Sequence, residues 1–433
     1  MASSRTAQRI LLALVFGLLA GLLPLLFPYV NPASAALRPA LRPGFQDRVV
    51  ASVAQPLGLA FTPDKRMLVI TKQGQVRVRK NGKLLQTPAL DISSRICAGR
   101  ERGLLGIAVD PHFGSAGHHY VYLDYTFKKF NQCPTGNPKN PKNPGNRVSR
   151  FVMSGNRIKP SSEKVLIDNI PSPTGNHNAG DLGFGKDGYL YVSVGDGECD
   201  YAGNSGCFDK NNATRDPNIL LGKVLRITRN GGIPATNPFT GTGSARCNVT
   251  GRTAPGKHCQ ETFASGLRNP FRFAFDPNAS GTRLFIGDVG GARWEEIDRG
   301  KAGADYAWNL CEGKHDNPAR AGSVSCSAGR YTPPVHEYSH KSGCGAITGG
   351  AFVPNGAWSA RYNNSYLFGD YVCNKIFALK PKKGGGFTQT EFARGLGAEG
   401  PIEMAFGPYG SGRALYYTTK ANGGEVHIIR QTR

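Results

Sequence analysis

The chain has 433 residues, of which 57 are Gly and 29 are Pro, a share well above ordinary usage that excludes a helical bundle or a helix-rich α/β fold. Hydrophobic residues make up 39% and aromatics 9%, enough to bury a large core, so the chain is globular and not disordered. Lys and Arg outnumber Asp and Glu by 53 to 30 for a net charge of +23; the basic residues are scattered, with no zinc-finger, helix-turn-helix or RNA-recognition pattern, so no nucleic acid is expected as a partner and a basic cell-envelope protein fits better.

The first residues read as an export signal. Arg5 and Arg9 precede an apolar run from Ile10 to about Tyr29, and Ala33-Ser34-Ala35 follows as a small-x-small cleavage pattern. Cleavage is expected, leaving residues 36–433 as the mature domain after a signal peptide over 1–35. Left uncleaved, residues 10–29 would anchor the chain in a membrane, although Gly17, Gly21, Pro24 and Pro28 weaken a spanning helix. Ten cysteines agree with a secreted or periplasmic location. Among the many connectivities open to them, nearest-neighbour pairing gives Cys97–Cys133, Cys199–Cys207, Cys247–Cys259, Cys311–Cys326 and Cys344–Cys373. No CxxC or HxxH spacing points to structural zinc.

One phrase then recurs along the chain: apolar-x-apolar, a Pro/Asp/Gly turn, and an alternating strand ending in polar residues. It begins at Leu57 (LGLAFTPDKRMLVI), Leu104 (LLGIAVDPHF), Asp181 (DLGFGKDGYLYVSVGDG) and Phe271 (FRFAFDPNASGTRLFIGDVG), with weaker copies from Ile347 and Ile402. Each copy predicts two short strands about a tight turn, often with a third strand after it (QVRVR, VSRFVM, GKVLRI, KIFALK), in period-2 alternation. Six such sheets around an axis make an all-β, six-bladed β-propeller, in which every sheet covers its neighbour. The competing architecture, a β-sandwich with insertions, would need fewer strands than six phrases supply. Long polar loops at 128–147, 197–216 and 228–262 are expected to crown one end of the axis, where ligands bind.

Three constellations carry candidate chemistry. His177, in Gly175-Asn176-His177-Asn178, enters the third copy, and Asp196 leaves that copy's next strand; a carboxylate there can orient an imidazole as a general base. Taken alone, a loop histidine is more often a surface residue. Arg268-Asn269-Pro270 heads the fourth copy and offers a fork of donors to a carboxylate or carbonyl, or else locks a turn. Glu295-Glu296, beyond Gly290-Gly291, places carboxylates past a Gly-rich turn, which suits a hard cation such as calcium or reads as a solvated loop.

Taken together, ERGLLGIAVDPHF (101–113), HNAGDLGFGKDGYLYVSVGDG (177–197), GKVLRI (222–227), FASGLRNPFRFAFDP (263–277), IGDVGGARWEEID (286–298) and YAWNLCEG (306–313) resemble the glucose/sorbosone dehydrogenase family over roughly residues 50–430. The resemblance implies a six-bladed propeller using pyrroloquinoline quinone (PQQ) and calcium to oxidise an aldose sugar at C1, with electrons passed to an external acceptor. It implies His177 as catalytic base, Asp196 as the carboxylate that polarises it, and Arg268 with Asn269 at the quinone's reactive edge. Glu101 falls where the family's glucose enzymes place Gln, and Asn176 where they place Asp. Carbonyls of Gly290 and Gly291 correspond to those holding the cofactor's calcium, and Glu296, Tyr306 and Asp316 to a second calcium site. No GxGxxG in a βαβ unit supports a nicotinamide or flavin instead.

One departure sets up two readings. The family's glucose enzymes meet the three carboxylates of the quinone with a Lys and two Arg, at positions matching about Val372, Gly400 and Ile402, none of which is basic. Lys375, Arg100 or Arg102 are candidates to replace them. An exported PQQ-dependent sugar dehydrogenase is therefore weighed against a non-catalytic extracellular propeller that binds carbohydrate or protein, resembling the Hedgehog-interacting-protein branch.

Overall fold

A computed structural model describes residues 39–432, apart from 138, 202–204, 321–324, 327–328 and 398. The expected signal segment and its membrane-anchor alternative lie outside the described residues, and within those residues no helix is long and apolar enough to cross a membrane.

The described chain is all-β with six main antiparallel sheets. Their innermost strands are Pro56–Phe61, Leu104–Val109, Ala179–Phe184, Pro270–Phe275, Ile347–Phe352 and Met404–Tyr409. Each packs against the next, and the last packs against the first, which closes a six-bladed propeller. The six phrases of the sequence map onto these blades one for one, and a fourth strand completes each of blades two to five, such as Arg157–Pro171 in blade two. Blade six takes its outer strand from the other end of the chain: Phe45–Ser52 pairs antiparallel with Glu425–Gln431, with Phe45 opposite Gln431. The ring is thus fastened by residues nearly 400 positions apart.

The second strands are buried on both faces rather than alternating. Met67–Thr71, Leu190–Val194, Leu284–Asp288 and Tyr366–Asp370 are buried at every position, because neighbouring blades cover both sides of each sheet. Near the axis the blades crowd together, and a Cβ at Gly106 would overlap the carbonyl oxygen of Gly180 on the next blade.

In five of the six blades the innermost strand slips register by a bulge near its start, between Pro56 and Gly58, Leu104 and Gly106, Ala179 and Leu182, Pro270 and Arg272, and Ile347 and Gly350. Bulges bend a strand and re-aim its side chains. These lie at one end of the axis.

All five cysteine pairs form as nearest-neighbour pairing predicts. Cys344–Cys373 ties the entry of blade five to the turn after its second strand, across a sequence separation of 29. Replacing both by Ser is expected to lower stability by about 3.6 kcal/mol, the loop-closure scale for that length. The readout is a lower Tm with β-rich circular dichroism retained. A Tm equal to the parent's would show that the surrounding contacts already hold this loop.

Candidate active site

In an antiparallel sheet the first residue of one strand lies beside the last residue of its neighbour. Every blade therefore offers two loops at one end: the entry to its innermost strand and the exit of its second. His177 is on the entry of blade three and Asp196 on its exit, so the two meet, with His177 Nδ1 2.7 Å from Asp196 Oδ1. The approach is so close that a Cβ at Gly195 would overlap the His177 carbonyl. His177 itself adopts φ of 48°, and both side chains are nearly buried.

Asp196 is held on all sides. Its Oδ1 also accepts the Glu198 amide at 2.7 Å, and its Oδ2 accepts the Trp308 indole N–H at 3.0 Å. Burial by itself would raise this carboxyl, but the His177 charge and hydrogen bond, the Arg268 charge and the Glu198 amide hold it below the usual carboxylate range. With Nδ1–H donated to Asp196, the lone pair of His177 Nε2 is left without a protein partner among the described residues. That is the tautomer a general base needs.

Arg268 and Asn269 enter blade four beside it. The Asp196 amide donates to the Arg268 carbonyl at 2.8 Å, joining the two blades. The guanidinium donates to Val289 O at 3.1 Å and lies 5.4 Å from the Trp308 ring. Asn269 accepts the Ala179 amide at 3.2 Å and donates to Glu101 at 3.4 Å. Asn176 turns its amide to Glu198 instead, at 3.1 Å. His177, Asp196, Arg268 and Trp308 line a cavity of about 330 Å³; Glu101 and Asn269 line a second of about 250 Å³ near the axis.

Beneath this pair lies an acidic cluster. Asp288 ends the second strand of blade four and accepts the amides of Arg268 at 2.8 Å and Asn269 at 2.6 Å. It sits opposite Glu296 in the ladder, and Asp298 is two residues further along the same face. One carboxylate oxygen from each of the three falls within 4.8 Å of the others, all buried. Glu296 Oε2 and both oxygens of Asp298 lack a hydrogen-bond partner. Burial pushes Asp288 up to about 7, with Asp196 adding to it against the two amide bonds. Glu296 and Asp298 are raised well above the usual range by burial and by neighbouring carboxylates. Oxygen-only donors left unpartnered in a dry site fit a hard divalent cation.

The structure separates several residues that the sequence placed together. Glu295 and Glu296 belong to the strand Trp294–Arg299, so they face opposite ways. Glu295 bonds His340 Nε2 at 2.7 Å and the Ile347 amide at 2.9 Å, leaving Glu296 to Asp288 and Asp298. Tyr306 is buried close by, its hydroxyl donating to Arg299 O at 2.5 Å. Asp316 stands apart, exposed, and accepts the Cys326 amide at 2.8 Å. The Gly290–Gly291 turn is held from below, since Glu312 Oε1 accepts the amides of Gly291, Ala292, Arg293 and Trp294 at 2.8 to 3.0 Å. Sequence reasoning assigned no role to Asp288, Asp298, Trp308 or Glu312. For Asp298 a signal existed, because carboxylates at i and i+2 share a strand face.

A family model described as Glucose / Sorbosone dehydrogenase matches residues 53–399. Among curated proteins, HIPL2 protein of Arabidopsis thaliana is 26% identical over 397 residues, covering 79% of this chain and 54% of its own. Aldose sugar dehydrogenase YliI of Escherichia coli is 26% identical over 257 residues, 59% of each chain. The chain thus spans about half the length of the curated relatives it matches. The PQQ-bound form of aldose sugar dehydrogenase from Streptomyces coelicolor superposes with a TM-score of 0.63 at 22% identity, over 90% of this chain and 99% of that one, which shows a shared fold.

The acidic cluster makes a direct prediction. Calcium is expected to raise the Tm and a chelator to reverse the gain, and in the double variant Glu296→Gln, Asp298→Asn the response to calcium disappears. Melting curves that ignore calcium in the parent chain would remove the cation from this cluster.

Proposed function

Because the chain belongs to the glucose/sorbosone dehydrogenase family, we propose that it is a PQQ-dependent sugar dehydrogenase that oxidises an aldose at C1 to the lactone and passes the electrons to an external acceptor. The observation that carries this reading is the His177–Asp196 pair, with an unpartnered Nε2 on a cavity that it shares with Arg268.

In this reading His177 Nε2 takes the proton of the anomeric hydroxyl. Asp196 fixes the ring and stabilises the imidazolium that forms, and the Trp308 N–H and Glu198 amide keep Asp196 from turning away. Bound PQQ supplies the sink for the hydride leaving C1. Arg268 and Asn269, whose amides are fixed by Asp288, present donors to negative charge at the mouth of the cavity. The residues fit such a group at this edge: the Arg268 guanidinium lines one cavity, and its neighbour Asn269 lines the adjoining one together with an apolar wall. Asp288, Glu296 and Asp298 would hold one calcium, in place of the Glu296, Tyr306 and Asp316 set that the family resemblance implies, and the carbonyls of Gly290 and Gly291 would serve the cofactor's own calcium. Five disulfides fit folding in an oxidising compartment, hence a secreted or periplasmic enzyme.

The non-catalytic alternative, an extracellular propeller binding carbohydrate or protein, is favoured by one observation. Val372 is exposed and Ile402 buried, and neither they nor Gly400 offer a cation where the family's glucose enzymes do. Titration with PQQ in the presence of calcium, followed by dye-linked oxidation of a panel of aldoses, decides between them. The enzyme binds PQQ and reduces the dye; His177→Ala retains the fold and loses at least about 10²-fold in the chemical step. No PQQ binding, or an alanine variant as fast as the parent, overturns the dehydrogenase.

A further inference from the structure

Cations do line the cavity near the axis, on blades other than those of Val372, Gly400 and Ile402 or at other places on them. Of the residues considered as replacements, Lys375 is paired with Glu391 at 3.0 Å, and Arg102 is buried, donating to Ser172 Oγ at 3.1 Å and Pro134 O at 2.9 Å. Arg100 does line the cavity of about 250 Å³, together with Lys72 and Lys420, which the sequence did not single out. Lys72 and Lys420 occupy equivalent places, each the first residue beyond the second strand of its blade, in blades one and six. Tyr371 holds that place in blade five, and Lys420 donates to its hydroxyl at 3.1 Å.

These charges are poorly matched by acids. Lys420 has Glu399 at 3.3 Å. Lys72 donates to the Arg100 carbonyl, and among the described residues neither Lys72 nor Arg100 has an ion-pair partner. Burial disfavours the Lys72 ammonium and the Lys420 charge works against it, and the Glu101 and Glu399 charges offset the two only in part. Glu101 is the only carboxylate on the lining of that cavity. Between the charges the walls are apolar, formed by Leu57, Leu105, Phe271, Val289 and Ile347. Like charges gathered at the rim of an apolar slot are stabilised by an anion with a flat, apolar body. A sugar, neutral and edged with hydroxyls, leaves them unmet.

We propose that Lys72, Arg100 and Lys420 form a relocated anchor for the carboxylates of the quinone cofactor, on the arc of blades six, one and two, facing His177 and Arg268 on blades three and four. The inference rests on the PQQ reading above. It assigns Glu101, across the same cavity, the opposite role of weakening that affinity.

The test is a fluorescence titration of the full chain with PQQ, and separately with its trimethyl ester, in the presence of calcium. Lys72→Gln and Lys420→Gln are each expected to weaken PQQ binding about tenfold, the scale of one charge-assisted hydrogen bond. Glu101→Gln tightens it, Lys420→Arg retains it, and the ester is indifferent to all four. Melting curves establish that each variant is folded. If the parent chain binds PQQ and the Gln variants bind equally well, the relocated anchor is wrong and the dehydrogenase reading stands. If the ester loses affinity in step with PQQ, the lysines act through packing and the anchor is again wrong. If the parent chain binds no PQQ, both readings fall.

Discussion

The chemistry of this propeller depends on where its antiparallel pairing gives way. Along most of each blade the ladder is regular, but at the axial mouth five innermost strands carry a bulge, and the entry and exit loops meet there. In blade three the ladder pairs Ala179 with Val194 and is bulged between Ala179 and Leu182; just beyond that pair the His177 backbone packs against Gly195, and imidazole meets carboxylate. In blade four the ladder pairs Pro270 with Asp288, and the amides of Arg268 and Asn269 just before that pair reach the Asp288 carboxylate. A sheet rim is ordinarily where order ends; here it is where side chains from different blades are fixed against each other.

Asp288 links two electrostatic problems that would otherwise be separate. Toward the mouth its oxygens take two amides; toward the interior it faces Glu296 and Asp298. Three carboxylates this close cannot all ionise in a dry setting unless a cation or protons intervene. Whatever resolves that repulsion also fixes Asp288, and through it the backbone of Arg268 and Asn269. The buried acids thus act on the candidate site by fixing the backbone of Arg268 and Asn269.

Much of this was legible in the sequence, and what was not had a physical reason. The repeated phrase gave six blades because each copy contains the strand pair next to the axis, where close packing demands Gly and short apolar residues. His177, Asp196, Arg268 and Asn269 could be found because they sit at fixed distances from those strands. Fourth strands were harder to see: Arg157–Pro171 is partly exposed and polar, being the outermost of its sheet. The pairing of Glu295 with Glu296 failed because adjacency in a strand means opposite faces. Lys72 and Lys420 escaped notice since a lone lysine after a strand is usually solvated, and only closure of the ring by Phe45–Ser52 makes blades one and six neighbours.

The distinction between an enzyme and a binding scaffold lies in which polar groups are left unmet. Asp196 is fully engaged by His177, Trp308 and Glu198, and a network so complete sustains itself whether or not a substrate ever arrives. It stabilises the loop and says little about turnover. Groups without partners are a different matter, because a protein gains nothing from holding an unpaired cation beside an apolar wall or an imidazole lone pair over empty space. His177 Nε2 is such a group in the cavity of blades three and four; in the cavity near the axis Lys72 donates to the Arg100 carbonyl and the exposed Arg100 guanidinium has no acidic partner among the described residues. A neutral sugar or a protein loop satisfies one cavity at a time. A flat polyacid with a reactive edge satisfies both.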